Sequence, residues 1–541
     1  MQKVAFCSVT VLSFNVVIRK LSCIFLQMVT KTLGSAVYGV NASLISIEVN
    51  VVMGTKLFMV GLPDNAVKES QHRIESVLKH IGCIMPRQRI IVNLAPADIR
   101  KEGAAYDLPI ALCILHASNQ YKFPKLEEYV VLGELALNGA LRPIKGSLPI
   151  AIEAKRRGCK GFVLPEENAL EAAIVTDLDV IPVVHIQEAI DFFSGKKDIT
   201  PIVADADSLL AAAAASTCDL NFADVQGQKD IKRAMEIAAA GSHNVIMIGP
   251  PGAGKTMIAK RIPNILPPFS LQEALETTKV YSVAGKLNQK QTALMNTRPF
   301  RAPHNTISDV GLVGGGSIPC PGEISLAHNG VLFLDEFPEF KRTVLEVLRQ
   351  PLEERKITIS RAKIAVEFPA NFMLIASMNP CPCGYYNHPN KACVCDAGVV
   401  KKYLNKISGP LLDRIDLHVE VTPISFEEMS VRKETESSED IRMRVVEARL
   451  IQQQRFSKHV GIYSNALMPS SLVKKICILS KSGQNLLKTA TERLGLSARA
   501  YDRILKVART IADLEHSENI LEEHLGEAIQ YRSLDRETWG G

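Results

Sequence analysis

Eight residues, Gly249-Pro-Pro-Gly-Ala-Gly-Lys-Thr256, constrain this chain more than any other stretch. They follow Asn244–Ile248, a short apolar run that reads as a strand, and a stretch of helical character comes after them. A strand that enters a glycine-rich turn and leaves as a helix is built to hold phosphate. The glycines let the loop wrap so that successive backbone N–H groups point at phosphate oxygens. The helix N-terminus adds its partial positive charge. Gly249, Pro250, Pro251, Gly252, Ala253 and Gly254 then form the cradle. Lys255 carries a full cation to the β- and γ-phosphates, and the Thr256 hydroxyl coordinates Mg²⁺. The expected ligand is ATP with Mg²⁺, and the expected fold class is α/β.

Val331-Leu-Phe-Leu-Asp-Glu336 supplies the other half of such a site. An apolar strand ending in two acids places Asp335 to hold the water shell of the Mg²⁺, with Glu336 near enough to polarise an attacking water. Two adjacent acids alone are usually a solvated strand end; downstream of a phosphate loop they are read as catalytic. Asn379 ends the next apolar run, Phe372–Met378. An amide there orients water against the γ-phosphate without adding negative charge. The competing reading is a turn-forming Asn before Pro380.

These motifs together resemble the AAA+ ATPases of the magnesium-chelatase/MCM branch, and more closely the YifB/ComM group of bacterial Mg-chelatase-like proteins. The most specific strings are Val92-Asn-Leu-Ala-Pro-Ala-Asp-Ile-Arg-Lys-Glu-Gly103, Arg298-Pro-Phe-Arg-Ala-Pro-His304, Pro321-Gly-Glu-Ile-Ser-Leu-Ala-His328, Asn379-Pro-Cys-Pro-Cys-Gly384 and Ala508-Arg-Thr-Ile-Ala-Asp-Leu514. The resemblance covers nearly everything from Met28 onward. It implies a ring-forming motor, a homo-hexamer with ATP bound between subunits. Leu411-Leu-Asp-Arg-Ile-Asp416 looks like the arginine-finger motif, which would set Arg414 on a neighbour's γ-phosphate; the alternative is an intrachain ion pair with Asp413 or Asp416. Arg499 resembles the second sensor of a helical lid, with Arg503 a weaker candidate one turn further on. The N-terminal part resembles the proteolytic domain of Lon, an α+β domain of ribosomal S5-like type. Ala105 and Ile150 stand at the positions aligned with its serine and lysine, and neither is a nucleophile or base. A scaffold or partner-binding role is expected instead.

The same resemblance bears on the substrate. Lys356 to Val366 reads as a hairpin, and in the MCM branch a hairpin here carries a pore-facing lysine, a place taken by Lys363 with Arg361 assisting. A basic hairpin tip grips phosphates without reading sequence. Single-stranded or branched DNA is therefore the expected partner, with branch migration during natural transformation the implied activity. Gly311–Gly316, preceded by Arg298, Arg301 and His304, resembles the helix-2 insertion of that branch, or is a loop with surface charges. Two readings without DNA stay open, a chelatase motor subunit and a protein-remodelling chaperone.

Cys381-x-Cys383 and Cys393-x-Cys395 put four thiols within 15 residues. They fit a tetrahedral structural Zn²⁺ site, or free or redox-labile thiols. The other cysteines are scattered, as in a reducing compartment. With 541 residues, 47% hydrophobic and 22% charged, the chain is long enough for roughly two to four packed domains. The net charge of +6 permits a polyanionic partner without demanding one. Val4–Ile18 is apolar but shorter than the ~20 residues of a spanning helix. It reads as an extension ahead of a second start at Met28, a weak signal or anchor being the other reading. No membrane partner and a cytoplasmic location are expected. The expected organisation is an extension over 1–27, a Lon-like domain over 28–203 and a linker over 204–221. The AAA+ core follows over 222–428, and a C-terminal helical lid over 429–541.

Overall fold

A computed structural model describes residues 29–214, 220–287, 293–316, 319–361, 364–386, 388, 391–423, 435–459 and 461–532. The expected extension at 1–27 lies outside the described residues. The chain divides into two compact units. One runs up to Asp205 and includes Ser282–Ala293; the other holds Ala206–Tyr281 and Leu294 onward.

The first unit is built on a seven-stranded mixed sheet. Its order is Leu57–Val60, Arg89–Ala95, Asn41–Val52, Thr30–Tyr38, Tyr129–Val131, Gly161–Pro165, Asp179–Val183. Along Asn41–Val52 alternate residues Ile45, Ile47 and Val49 are fully buried, as a strand with one face on a core requires. Asp64 caps helix Asn65–His80 by accepting from the Val67 amide at 2.8 Å, and Gly82 follows its end at φ +76°. Strand Thr30–Tyr38 has no apolar run and is invisible to periodicity. Its Thr32 and Ser35 are buried, and their hydroxyls donate to the Leu126 and Ser43 carbonyls at 3.2 and 3.1 Å. Ala105 and Ile150 both pack into the apolar core of this unit.

The second unit carries a five-stranded, all-parallel sheet in the order Phe300–Arg301, Val331–Leu334, Met373–Met378, Val245–Ile248, Leu417–Glu420. The strands are short, apolar and buried, as parallel strands covered on both faces are. Met373–Met378 is inserted between the strand feeding the phosphate loop and the strand ending in Asp335-Glu336. The tips of these three strands therefore lie side by side at one edge. The mixed α/β fold of the AAA+ class is thus realised, with the hairpin Lys356–Arg361/Ile364–Pro369 as a separate antiparallel pair. The helices Ser438–Phe456, Ser470–Ile476, Lys481–Leu494, Ala498–Leu514 and Glu522–Gln530 form the C-terminal part. The linker stretch is helical over Ala206–Ala214 and groups with the second unit. Ser437 to Asp440 starts helix Ser438–Phe456, with Ser437 and Asp440 in a reciprocal capping box.

One buried polar knot ties the C-terminal helices to the sheet. Asp416 is fully buried; it accepts from the Asn244 amide at 2.9 Å and pairs with Arg503 at 2.8 Å, with His243 Nδ1 at 3.5 Å. Burial pushes its carboxyl pKa up, but Arg503 and the other donors outweigh burial and hold it far below the usual carboxylate range. Removing the charge strands Arg503 among buried groups. Asp416→Asn should destabilise this unit by about 3–5 kcal/mol, read as a lower urea midpoint. The native pairing contributes fully above the unfolded pKa of ~3.9 and is lost as pH falls below it. The wild-type advantage over the variant should therefore shrink in acid; an unchanged midpoint at neutral pH would refute the assignment.

Candidate nucleotide site

The phosphate loop takes its shape from its glycines. Gly252 and Gly254 have φ of +81° and +84°, a region where a side chain is strained. Gly254 leads directly into helix Lys255–Arg261. Lys255 Nζ folds back over the loop and donates to the carbonyls of Gly249 at 2.6 Å and Pro250 at 2.9 Å, and to Asn379 Oδ1 at 3.1 Å. Burial pulls the ammonium pKa down to about 8, partly offset by Asp335.

Across the sheet tips, Thr256 Oγ1 donates to Asp335 Oδ2 at 2.8 Å. The other Asp335 oxygen accepts from Ser377 Oγ and, at 3.1 Å, from the Glu336 amide. Glu336 sits at φ +53°, and Asn305 Nδ2 donates to its Oε2 at 3.0 Å. Lys255 with Asn379 and Thr256 with Asp335 thus form two hydrogen-bonded pairs at neighbouring strand tips, with Glu336 adjoining the second. The set offers a cation and amides for phosphate, and a hydroxyl and a carboxylate for Mg²⁺. It adds a second carboxylate and an amide for water.

Ser377 and Asn305 were not singled out by sequence reasoning. Ser377 interrupts a buried apolar strand, the one available signal. Asn305 follows a two-residue edge strand and looks like any loop asparagine until the sheet order puts it beside Glu336.

Arg414 and Arg499 share a carboxylate. Arg414 is buried; its Nη2 lies 2.6 Å from Glu353 Oε1 and its Nη1 donates to the Pro410 carbonyl. Its intrachain partner is thus neither Asp413 nor Asp416, because Arg503 occupies Asp416 and Ser497 reaches Asp413. The exposed Arg499 lies 3.8 Å from the same Glu353 oxygen. Arg503, engaged with Asp416, is spent on structure. Arg298 and Arg301 are also committed within the chain, each gripping a carboxylate with two nitrogens: Glu273 at 3.0 and 3.1 Å, Glu323 at 2.6 and 2.8 Å. They are not a free basic surface. Lys363 lies outside the described residues. Arg361 ends the first hairpin strand, and its side chain also falls outside the description.

Cys381, Cys383, Cys393 and Cys395 gather immediately beyond Asn379. Their sulfurs lie within 4.8 Å of one another, with 3.3 Å between Cys381 and Cys383, 3.7 Å between Cys381 and Cys393, and 3.5 Å between Cys383 and Cys393. Four sulfurs about one Zn²⁺ at ~2.3 Å would be about 3.8 Å apart, so the donor set fits the ion.

Three family models match in succession. Residues 47–168 match subunit ChlI of Mg-chelatase, 221–429 match magnesium chelatase subunit ChlI, and 435–532 match its C-terminal part. The protein YifB of Salmonella typhimurium is 43% identical over 505 residues, covering 93% of this chain and 96% of the relative. Competence protein ComM of Haemophilus influenzae is 43% identical over 502 residues, 92% of this chain and 96% of that protein. The chain belongs to the YifB/ComM family. Lon protease 2 of Bacillus subtilis is 30% identical over 191 residues, 30% of this chain and 33% of that protein. A YifB/ComM chain is of the magnesium-chelatase AAA+ type, for which ATP and Mg²⁺ are the expected ligands. No helix among the described residues is long and apolar enough to cross a membrane.

Proposed function

We propose that this YifB/ComM protein is an ATP-driven, ring-forming motor that moves along DNA and promotes branch migration during DNA integration. The observation that carries the ATPase part is the convergence of Lys255, Thr256, Asp335, Glu336 and Asn379 at three adjacent strand tips. Lys255 and the loop amides bind the triphosphate, and Thr256 and Asp335 hold Mg²⁺. Held by Thr256 and Asp335, Mg²⁺ would supply neutralisation of the charge on the phosphate oxygens. Glu336 takes the proton of the attacking water, which Asn379 orients. Arg414 serves the pocket of a neighbouring subunit in a homo-hexamer, and Arg499 is the second sensor of the helical lid. Residues 222–428 are the motor core and 429–541 its helical lid. The Lon-like part, 28–203, holds partners without cleaving them. A structural zinc at the four cysteines completes the cofactor set, and a cytoplasmic setting suits the whole.

The DNA part is supported by the relative named as a competence protein and by the hairpin Lys356–Arg361/Ile364–Pro369, between whose strands Lys363 falls in sequence. Single-stranded or branched DNA should raise ATP turnover several-fold. Lys363→Ala should abolish that stimulation while sparing the basal rate, because a pore contact to phosphate acts on substrate rather than on ATP. Arg361→Ala should weaken it less. Offering the protein and ATP branched and linear DNA, with Glu336→Gln as the inactive control, then scores strand displacement. Turnover indifferent to DNA would favour the chelatase-motor or chaperone readings, the former being the description under which the family models match.

A further inference from the structure

We further infer that the four-cysteine cluster is a zinc clasp whose task is to position Asn379 and the phosphate loop for ATP turnover. This rests on the ATPase and zinc readings above and adds a role that neither supplies.

The connection is short on the page. Asn379 directly follows the strand Met373–Met378, and one residue, Pro380 with its fixed φ, separates it from Cys381. Cys381 is fully buried, and the Gly384 amide donates to its carbonyl at 3.0 Å, turning the chain. At that turn Gly384 has φ +84°, and a Cβ there would stand 2.6 Å from Cδ of Pro251 in the phosphate loop. The cysteine loop thus leans on the phosphate loop at Gly384 and holds the sensor amide at Asn379. Lys255 Nζ bridges the two at 3.1 Å from Asn379 Oδ1.

The sulfur arrangement suits one mononuclear thiolate ion. The sulfurs are too close to surround a multi-iron core. The Tyr386 and Cys395 amides lie 3.3 and 3.4 Å from the sulfurs of Cys381 and Cys393, donors that would stabilise thiolates. With the ion bound, the ends of the loop from Cys381 to Cys395 are tied together. Without it the loop regains its closure entropy, and the turn at Gly384 loses its seat.

The test uses the full chain. Metal analysis should find one zinc per chain. Stripping with the zinc-selective chelator TPEN, which spares Mg²⁺, should lower ATP turnover on the order of tenfold. Affinity for a fluorescent ADP should persist, since Lys255 and the loop amides remain, and added zinc should restore the rate. Cys393→Ser with Cys395→Ser should reproduce the stripped state. Should that variant misfold by circular dichroism, the stripped native chain carries the result. Gly384→Ala should keep its zinc yet turn over slowly, because the new methyl strikes Pro251 without touching a ligand. A chain that holds no metal, or holds iron, overturns the inference. So does zinc-free protein working at the zinc-loaded rate, or a full-speed Gly384→Ala. A zinc-loaded chain that never hydrolyses ATP topples the ATPase reading itself, and the clasp with it. Zinc at one per chain with turnover indifferent to its removal overturns the clasp alone.

Discussion

Replacing Arg414 with alanine is expected to lower ATP turnover by about 10³–10⁵-fold, the effect of withdrawing a guanidinium from the charge that develops on a transferring phosphoryl group. Within one chain this side chain is buried and fastened to Glu353 at 2.6 Å. Acting across an interface therefore requires Glu353 to release it. Two explanations of a dead Arg414→Ala variant can be separated by mixing. Lys255→Ala subunits keep Arg414 but lose the phosphate cation; Arg414→Ala subunits keep the cation but lose the arginine. If Arg414 works on a neighbour, the mixture regains activity at interfaces where an intact phosphate loop meets an intact arginine. If the arginine only fastens Glu353 within its own chain, the mixture stays as inactive as its components, and Glu353→Ala alone does equal damage.

Glu336→Gln should slow hydrolysis by about 10²–10⁴-fold, the contribution of a positioned general base, while nucleotide binding survives. Glutamine keeps the shape and the contact to Asn305 but cannot take a proton. Asp335 should remain able to hold Mg²⁺, since its partners Thr256, Ser377 and the Glu336 amide are unaltered. The measurement is single-turnover hydrolysis beside equilibrium binding of ATP. Equal losses in both would place Glu336 in binding rather than in proton transfer. A rate unchanged by the substitution would remove it from the mechanism.

The comparison of chain and fold turns on how far apart in sequence the interacting groups lie. The phosphate loop was legible because eight consecutive residues carry both the backbone freedom and the charge that phosphate needs. The strand Val331–Leu334 announced itself by four apolar residues ending in two acids. Strand Thr30–Tyr38 was not legible: it buries threonine, serine and glycine, and its place in the sheet comes from neighbours rather than from its own apolarity. Arg298 and Arg301 looked like surface charge for the same reason, since Glu273 and Glu323, which neutralise them, stand more than twenty residues away.

By itself the sequence determined the chemistry that resides in contiguous residues: the cradle for phosphate, the paired acids, the four thiols and the family. Tertiary structure alone decided the pairings. It inserted Met373–Met378 between the two halves of the site, so that Asn379 meets Lys255. It set Asn305 against Glu336, and gave Arg414 to Glu353 rather than to the aspartates beside it. Backbone propensity acts over a few neighbouring residues and can be read along the chain. A salt bridge or hydrogen bond between distant residues exists only once packing has chosen the strand order, which no local pattern encodes.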